Sequence, residues 1–159
     1  ISVKFDKRDT LRQGAKFAQH ELQGVPLRIA IGPKDLEDET VEIARRDNLS
    51  KQTVILDRLS VVVEDLLKEI QENLFNKALE FRNSHITNVD DFESFKKVLE
   101  NKTGFISAHW DGSAETEQKI KDLTKATIRC IPIDSVEEEG SCVYSGKPSN
   151  KRVLFAKAY

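Results

Sequence analysis

Gly24-Val-Pro-Leu-Arg-Ile-Ala-Ile-Gly-Pro-Lys-Asp-Leu-Glu37 is the stretch whose reading decides the fold. Leu27, Ile29 and Ile31 alternate with Arg28 and Ala30, the period-2 pattern of a strand. Gly24 and Pro26 punctuate its entry and Gly32-Pro33 its exit. Three charged residues, Glu21, Arg28 and Asp35, recur seven residues apart, before, on and after the strand. Charges at the edges of one strand can converge on a polar ligand that both donates and accepts hydrogen bonds. Spacing alone favours reading them as ordinary solvated charges at strand ends.

Outward from this strand the elements alternate. Upstream, Ser2-Val-Lys-Phe-Asp6 reads as a short strand, Lys7 to Thr10 as a turn, and Thr10 as a cap for the next segment. Leu11, Ala15, Ala18 and Leu22, with Phe17 beside them, mark one face of a helix that Gly24 stops. Downstream, Asp35 to Glu39 reads as an acidic turn. Thr40–Arg46 and Lys51–Leu56 form a hairpin across Asp47-Asn48. A long helix over about 60–84 carries Val63, Leu66, Ile70, Leu74, Ala78 and Phe81 at helical spacing. The domain boundary is placed inside it, with domains at 1–68 and 69–159.

The second domain opens with Asp90-Asp91 at the N-terminus of a helix bearing Phe92, Phe95, Val98 and Leu99. A strand at 104–110, a helix at 113–125, a strand at 127–133 that Pro132 places at a sheet edge or marks near its end, and a final strand from Arg152 follow. Glu137–Glu139 is read as a solvated charge run and Ser141–Gly146 as a tight turn. The fold class is therefore α/β: two small α/β lobes, a mixed sheet with packed helices and then an α+β domain, joined by a long helix.

Composition narrows the function. The 159 residues are 38% hydrophobic and 33% charged, with a net charge of −2. A sequence pI near 6.0 is not the footprint of a general nucleic-acid binder, which typically lies above about 9, so any such contact is local and DNA binding is not expected. No apolar run approaches the roughly 20 residues of a membrane helix, and no signal peptide is visible. The chain contains no Met and is read as a fragment. Its two cysteines do not make a disulfide framework; Cys130, in an apolar strand, is assigned to the core and Cys142 to a polar turn. A reducing cytoplasm is the simplest compartment. His20, His85 and His109 are scattered and read as structural or surface residues. There is no Gly-rich phosphate loop, no nucleophile elbow and no catalytic constellation.

The residues do carry a resemblance. Lys16-Phe-Ala, Glu21-Leu, Gly24-Val-Pro-Leu-Arg-Ile, Ile31-Gly-Pro-Lys-Asp-Leu-Glu and Arg45-Arg-Asp are similar to the anticodon-binding domain of the prolyl-tRNA synthetases. Ala126-Thr-Ile-Arg-Cys-Ile-Pro, Gly146-Lys-Pro-Ser and Val153-Leu-Phe-Ala-Lys-Ala-Tyr159 resemble the C-terminal domain of the archaeal and eukaryotic type. The resemblance implies a class II synthetase that charges tRNA with proline using ATP and Mg, a catalytic domain outside this chain, an opening strand and helix before Ile1, and a homodimeric parent. It implies that Glu21, Arg28, Asp35 and Lys51 read two guanines of the anticodon. A carboxylate accepts from guanine N1–H and N2–H, and an arginine donates to O6 and N7; unpaired anticodon bases expose those edges. Lys7, Arg8, Arg12 and Lys16 face phosphates or solvent. An RNA- or protein-binding paralogue without catalysis is the alternative.

Many relatives hold a structural zinc with four cysteines. The matching positions here are Asp111, Thr116, Cys142 and Ser145. One thiol, one carboxylate and a remote His109 do not make the four N or S ligands of a closed zinc site, so zinc is expected to be absent and the turns to be held by hydrogen bonds and packing. The resemblance also implies that the Tyr159 carboxylate approaches the active site of the full enzyme.

Overall fold

A computed structural model describes residues 1–157. It divides into two compact units, Ile1–Ala78 and Leu79 onward, the division falling within the long helix. Among the described residues no helix is long and apolar enough to cross a membrane.

The first unit runs α1 (Gln13–Leu22), β1 (Leu27–Ala30), α2 (Pro33–Glu37), β2 (Thr40–Arg45), β3 (Lys51–Ile55) and the first part of α3 (Leu59–Ser84). The strands form an antiparallel sheet in the order β1-β2-β3. Alternation along β2 sends Val41 and Ile43 to one face, where they are fully buried with Leu66 of α3. Leu27, Val54, Leu59, Val62 and Val63 complete this small core. Glu42 and Ala44 point to the opposite face.

Three local expectations change here. Ser2–Asp6 forms no strand. Val3 and Phe5 stay exposed, and Asp6 is bound by its own neighbours, accepting from Arg8 Nη2 at 2.6 Å and lying 2.9 Å from His20 Nε2. The N-cap of α1 is Arg12 and makes no side-chain cap, because the helix starts beyond the reach of Thr10. Gly24 does close α1: at φ 82° its N–H donates to Glu21 C=O. The acidic segment after β1 is the short helix α2 rather than a turn. Pro33, with φ preset for the first helical position, starts it, and Asp35 Oδ2 accepts from Gly32 N–H at 2.7 Å.

The hairpin is locked at its turn. Asp47, its side chain 1% exposed, accepts from Arg45 Nε and Nη2 at 3.0 and 2.9 Å and from Asn73 Nδ2 at 2.6 Å. Arg45 Nη1 donates to Glu69 at 2.7 Å, and Lys77 Nζ donates to the Asp47 carbonyl at 3.0 Å.

The second unit contains β4 (Ile86–Asn88), α4 (Phe92–Asn101), β5 (Phe105–His109), α5 (Ala114–Thr124), β6 (Ala126–Cys130), β7 (Gly140–Ser141), β8 (Pro148–Ser149) and β9 (Arg152–Lys157). Its main sheet is mixed, in the order β4-β5-β9-β6. β4 and β5 run parallel across α4, and β9 pairs antiparallel with both β5 and β6. Asp91 caps α4, accepting from Ser94 N–H at 2.8 Å. Phe95 and Phe155 meet edge to face at 5.2 Å in a core with Ile106, Ala108, Ile120 and Val153.

The two cysteines exchange their expected environments. Cys130 is exposed and Cys142 buried. β6 is an edge strand whose register shifts between Ile128 and Cys130, which carries Cys130 out of the core alternation. Cys142 is pinned in its turn, its N–H donating to Lys147 C=O and its C=O accepting from Gly146 N–H. The glutamate run is also more than a solvated face: Glu138 accepts from Arg152 Nε and Nη2 at 3.0 and 3.1 Å.

Candidate functional site

The register of the first sheet builds a polar row. Arg28 stands opposite Ala44, and Ala44 opposite Lys51. Paired residues share a face, so Arg28 and Lys51 flank Ala44 on the side away from the core. Two strand spacings put their backbones about 10 Å apart. Glu42, two residues before Ala44, lies on the same face, and its carboxylate is 3.0 Å from Lys51 Nζ.

Helix α1 supplies the other partners of Arg28. Glu21 Oε1 accepts from Arg28 Nη1 at 2.5 Å. Phe17, one turn earlier, places its ring centroid 3.6 Å from Arg28 Cζ, a cation–π stack. Arg28 is 17% exposed at its side chain and Glu21 45%. Arg28 Nε is buried and has no hydrogen-bond partner among the described residues. Asp35 sits past the end of β1, its Oδ2 committed to Gly32 N–H; among the described residues its Oδ1 receives no protein donor.

The structure thus joins Glu21 to Arg28, sets Lys51 in the same row, and fixes Asp35 at the end of the strand without contact to the other three among the described hydrogen bonds. Phe17 and Glu42 are the neighbours that sequence reasoning missed. The i,i+4 relation of Phe17 to Glu21 and the i,i+2 relation of Glu42 to Ala44 were the available signals.

In the second unit Asp111 is the hub of a hydroxyl cluster. Its Oδ1 accepts from Ser113 N–H at 3.0 Å and Ser113 Oγ at 2.9 Å. Its Oδ2 accepts from Thr116 Oγ1 at 2.8 Å and Ser145 Oγ at 2.6 Å. Burial opposes ionisation, yet these donors outweigh it and hold the Asp111 carboxyl at about 2. His109 is 3% exposed and lies elsewhere, its Nδ1 3.3 Å from Ser149 Oγ and its Nε2 3.8 Å from Glu138.

Comparison with known proteins matches the chain in two segments. A family model described as an anticodon binding domain matches residues 1–73. Another, described as prolyl-tRNA synthetase, C-terminal, matches residues 92–159. Proline–tRNA ligase of Flavobacterium johnsoniae is 67% identical over 159 residues, all of this chain and 32% of the relative. The chain belongs to the prolyl-tRNA synthetase family. Proline–tRNA ligases of Christiangramia forsetii and Bacteroides fragilis, 63% and 52% identical across the whole chain, agree. The chain spans about a third of the length of these curated relatives.

The residues Asp111, Thr116, Cys142 and Ser145 do not offer the four N or S ligands of a closed zinc site. Thr116 and Ser145 are hydroxyls already spent on Asp111, and only Cys142 offers a thiolate. Among the described residues no three of His, Cys, Asp or Glu group as a metal would require. Tyr159 lies outside the described residues.

Proposed function

We propose that this chain is the anticodon-reading part of an enzyme that ligates proline to tRNA using ATP and Mg, with a C-terminal lobe that supports the catalytic part. The observation that carries the reading is the Glu21–Arg28 pair on a sheet face shared with Lys51, in a domain of anticodon-binding type. Glu21 retains a second carboxylate oxygen for guanine N1–H and N2–H. Arg28 retains Nη2 donors for O6 or N7. The second oxygen of Asp35 and the ammonium of Lys51 supply another acceptor and donor for the neighbouring base. Phosphate contacts by Arg12 and Lys16 add affinity that is blind to sequence and falls with salt. The partners are the proline anticodon stem-loop and the enzyme's own catalytic part, in a cytoplasmic homodimer. We propose further that the second lobe needs no zinc, its two turns being joined through Asp111.

The test is charging, by the intact enzyme at fixed moderate salt, of proline tRNA and of a variant with its two anticodon guanines changed to adenine. A strong preference for the guanines, weakened by Arg28→Ala, is expected. Equal charging of both tRNAs, or an unchanged preference in Arg28→Ala, overturns the assignment. Zinc near one equivalent in chelator-washed enzyme overturns the metal-free turns.

A further inference from the structure

Arg28 is held in an unusual way for a residue with five N–H donors. One Nη1 hydrogen goes to Glu21, and Nε is buried with no acceptor among the described residues. A buried donor without a partner is destabilising, so something else keeps the guanidinium in this pose. The contact that does so is Phe17, whose ring lies 3.6 Å from Cζ. At that separation the ring covers one guanidinium face, and the attraction acts on the plane rather than on any one N–H.

The geometry points to Phe17 as a positioning residue for base discrimination: its ring fixes the plane of Arg28, so that Glu21 and Arg28 face a base as one rigid acceptor–donor pair. This rests on the anticodon reading above and adds to it a residue that touches the reader rather than the base. Without the ring, Arg28 can rotate about its long stem and offer its donors at many angles. Charge would be kept and angular selectivity lost. A planar bidentate contact to O6 and N7 depends on that angle, whereas attraction to phosphate does not. The effect therefore falls on guanine-over-adenine preference more than on general RNA affinity.

The experiment replaces Phe17, in the intact synthetase, with phenylalanines carrying increasing numbers of fluorine atoms. Fluorine withdraws charge from the ring face and nearly preserves shape, so folding is retained while the cation–π attraction fades. The readout is the ratio of kcat/KM for proline tRNA to that for the guanine-to-adenine variant. We expect this ratio to fall stepwise, by roughly three- to thirty-fold at full fluorination, and Phe17→Tyr to restore it. The series is repeated in an Arg28→Gln background, where the fluorination effect should vanish. A ratio that ignores fluorination overturns the positioning role. A fluorination effect that persists in Arg28→Gln also overturns it, since the ring then acts on the base directly. If Arg28→Gln alone leaves the ratio unchanged, the anticodon reading itself fails, and that outcome is distinct from the other two.

Discussion

Two arginine–carboxylate pairs occupy opposite faces of one small sheet, and they are built differently. Arg45 faces α3 at the hairpin end, and every one of its guanidinium nitrogens is engaged: Nε and Nη2 on Asp47, Nη1 on Glu69. Asp47 in turn accepts from Asn73 and is almost wholly buried. Arg28, on the other face, has one engaged nitrogen, one buried and unpartnered nitrogen, and a ring for company. A pair with every guanidinium nitrogen engaged and its carboxylate buried has little left to offer a ligand and serves the fold. An under-satisfied pair keeps donors and acceptors in reserve, which a base edge can take up. Ionic contact alone would not separate the two; the hydrogen-bond inventory does.

The largest effect should come from breaking the saturated pair. Asp47→Ala leaves Arg45 and Asn73 without their shared acceptor and should destabilise the first unit by about 3 kcal/mol or more, read as a lower urea midpoint. Asp111→Ala should follow, because three hydroxyls and one N–H lose a charged acceptor; about 2 kcal/mol is expected in thermal unfolding of the second unit. Arg28→Ala should invert this pattern: a loss of about 1–3 kcal/mol in discrimination at one base, with an unfolding midpoint close to that of the parent. If Arg28→Ala unfolds the unit as Asp47→Ala does, the contrast between the two pairs is wrong.

Acid should weaken both buried carboxylate hubs. Asp47 is held at about 2, chiefly by its hydrogen bonds from Arg45, and Asp111 also lies near 2. Both carboxyls are depressed below the ordinary 3.8, so their contribution is fully present above that value and is lost as pH falls from about 3.8 through about 2. Stability measured down this range should drop in wild type and stay flatter in Asp47→Asn. The smallest effect belongs to the exposed Glu42–Lys51 pair, where Glu42→Gln should change stability by no more than about 1 kcal/mol.

Much of the scaffold was legible before any coordinates. The apolar stripe of α3, the hairpin around Asp47-Asn48, the Asp91 cap of α4 and the edge position of β6 all follow from period, turn chemistry and capping. These signals are local, and local geometry obeys them. Where they failed, a non-local partner or a competing local bond intervened. Ser2–Asp6 alternates like a strand, yet Asp6 is taken by Arg8 and His20. Asp35 sits in what reads as an acidic turn, yet it caps the start of a helix that opens at Pro33. Cys130 leaves the core through a register shift that no alternation pattern reveals.

The candidate site divides along the same line. Sequence by itself determined which groups are present: the carboxylates of Glu21 and Asp35, the cations of Arg28 and Lys51, and a single thiol, Cys142, beside Asp111, Thr116 and Ser145. It could do so because residue type carries donor and acceptor identity directly. Only the tertiary structure decided how those groups are held: Phe17 stacked on Arg28, Glu42 on Lys51, the hydroxyls of Thr116 and Ser145 gathered on Asp111. The reason is that each of these contacts is set by strand register, by the helix face turned to the sheet, or by a turn brought close through packing, and none of those quantities is written in the spacing of the residues that meet.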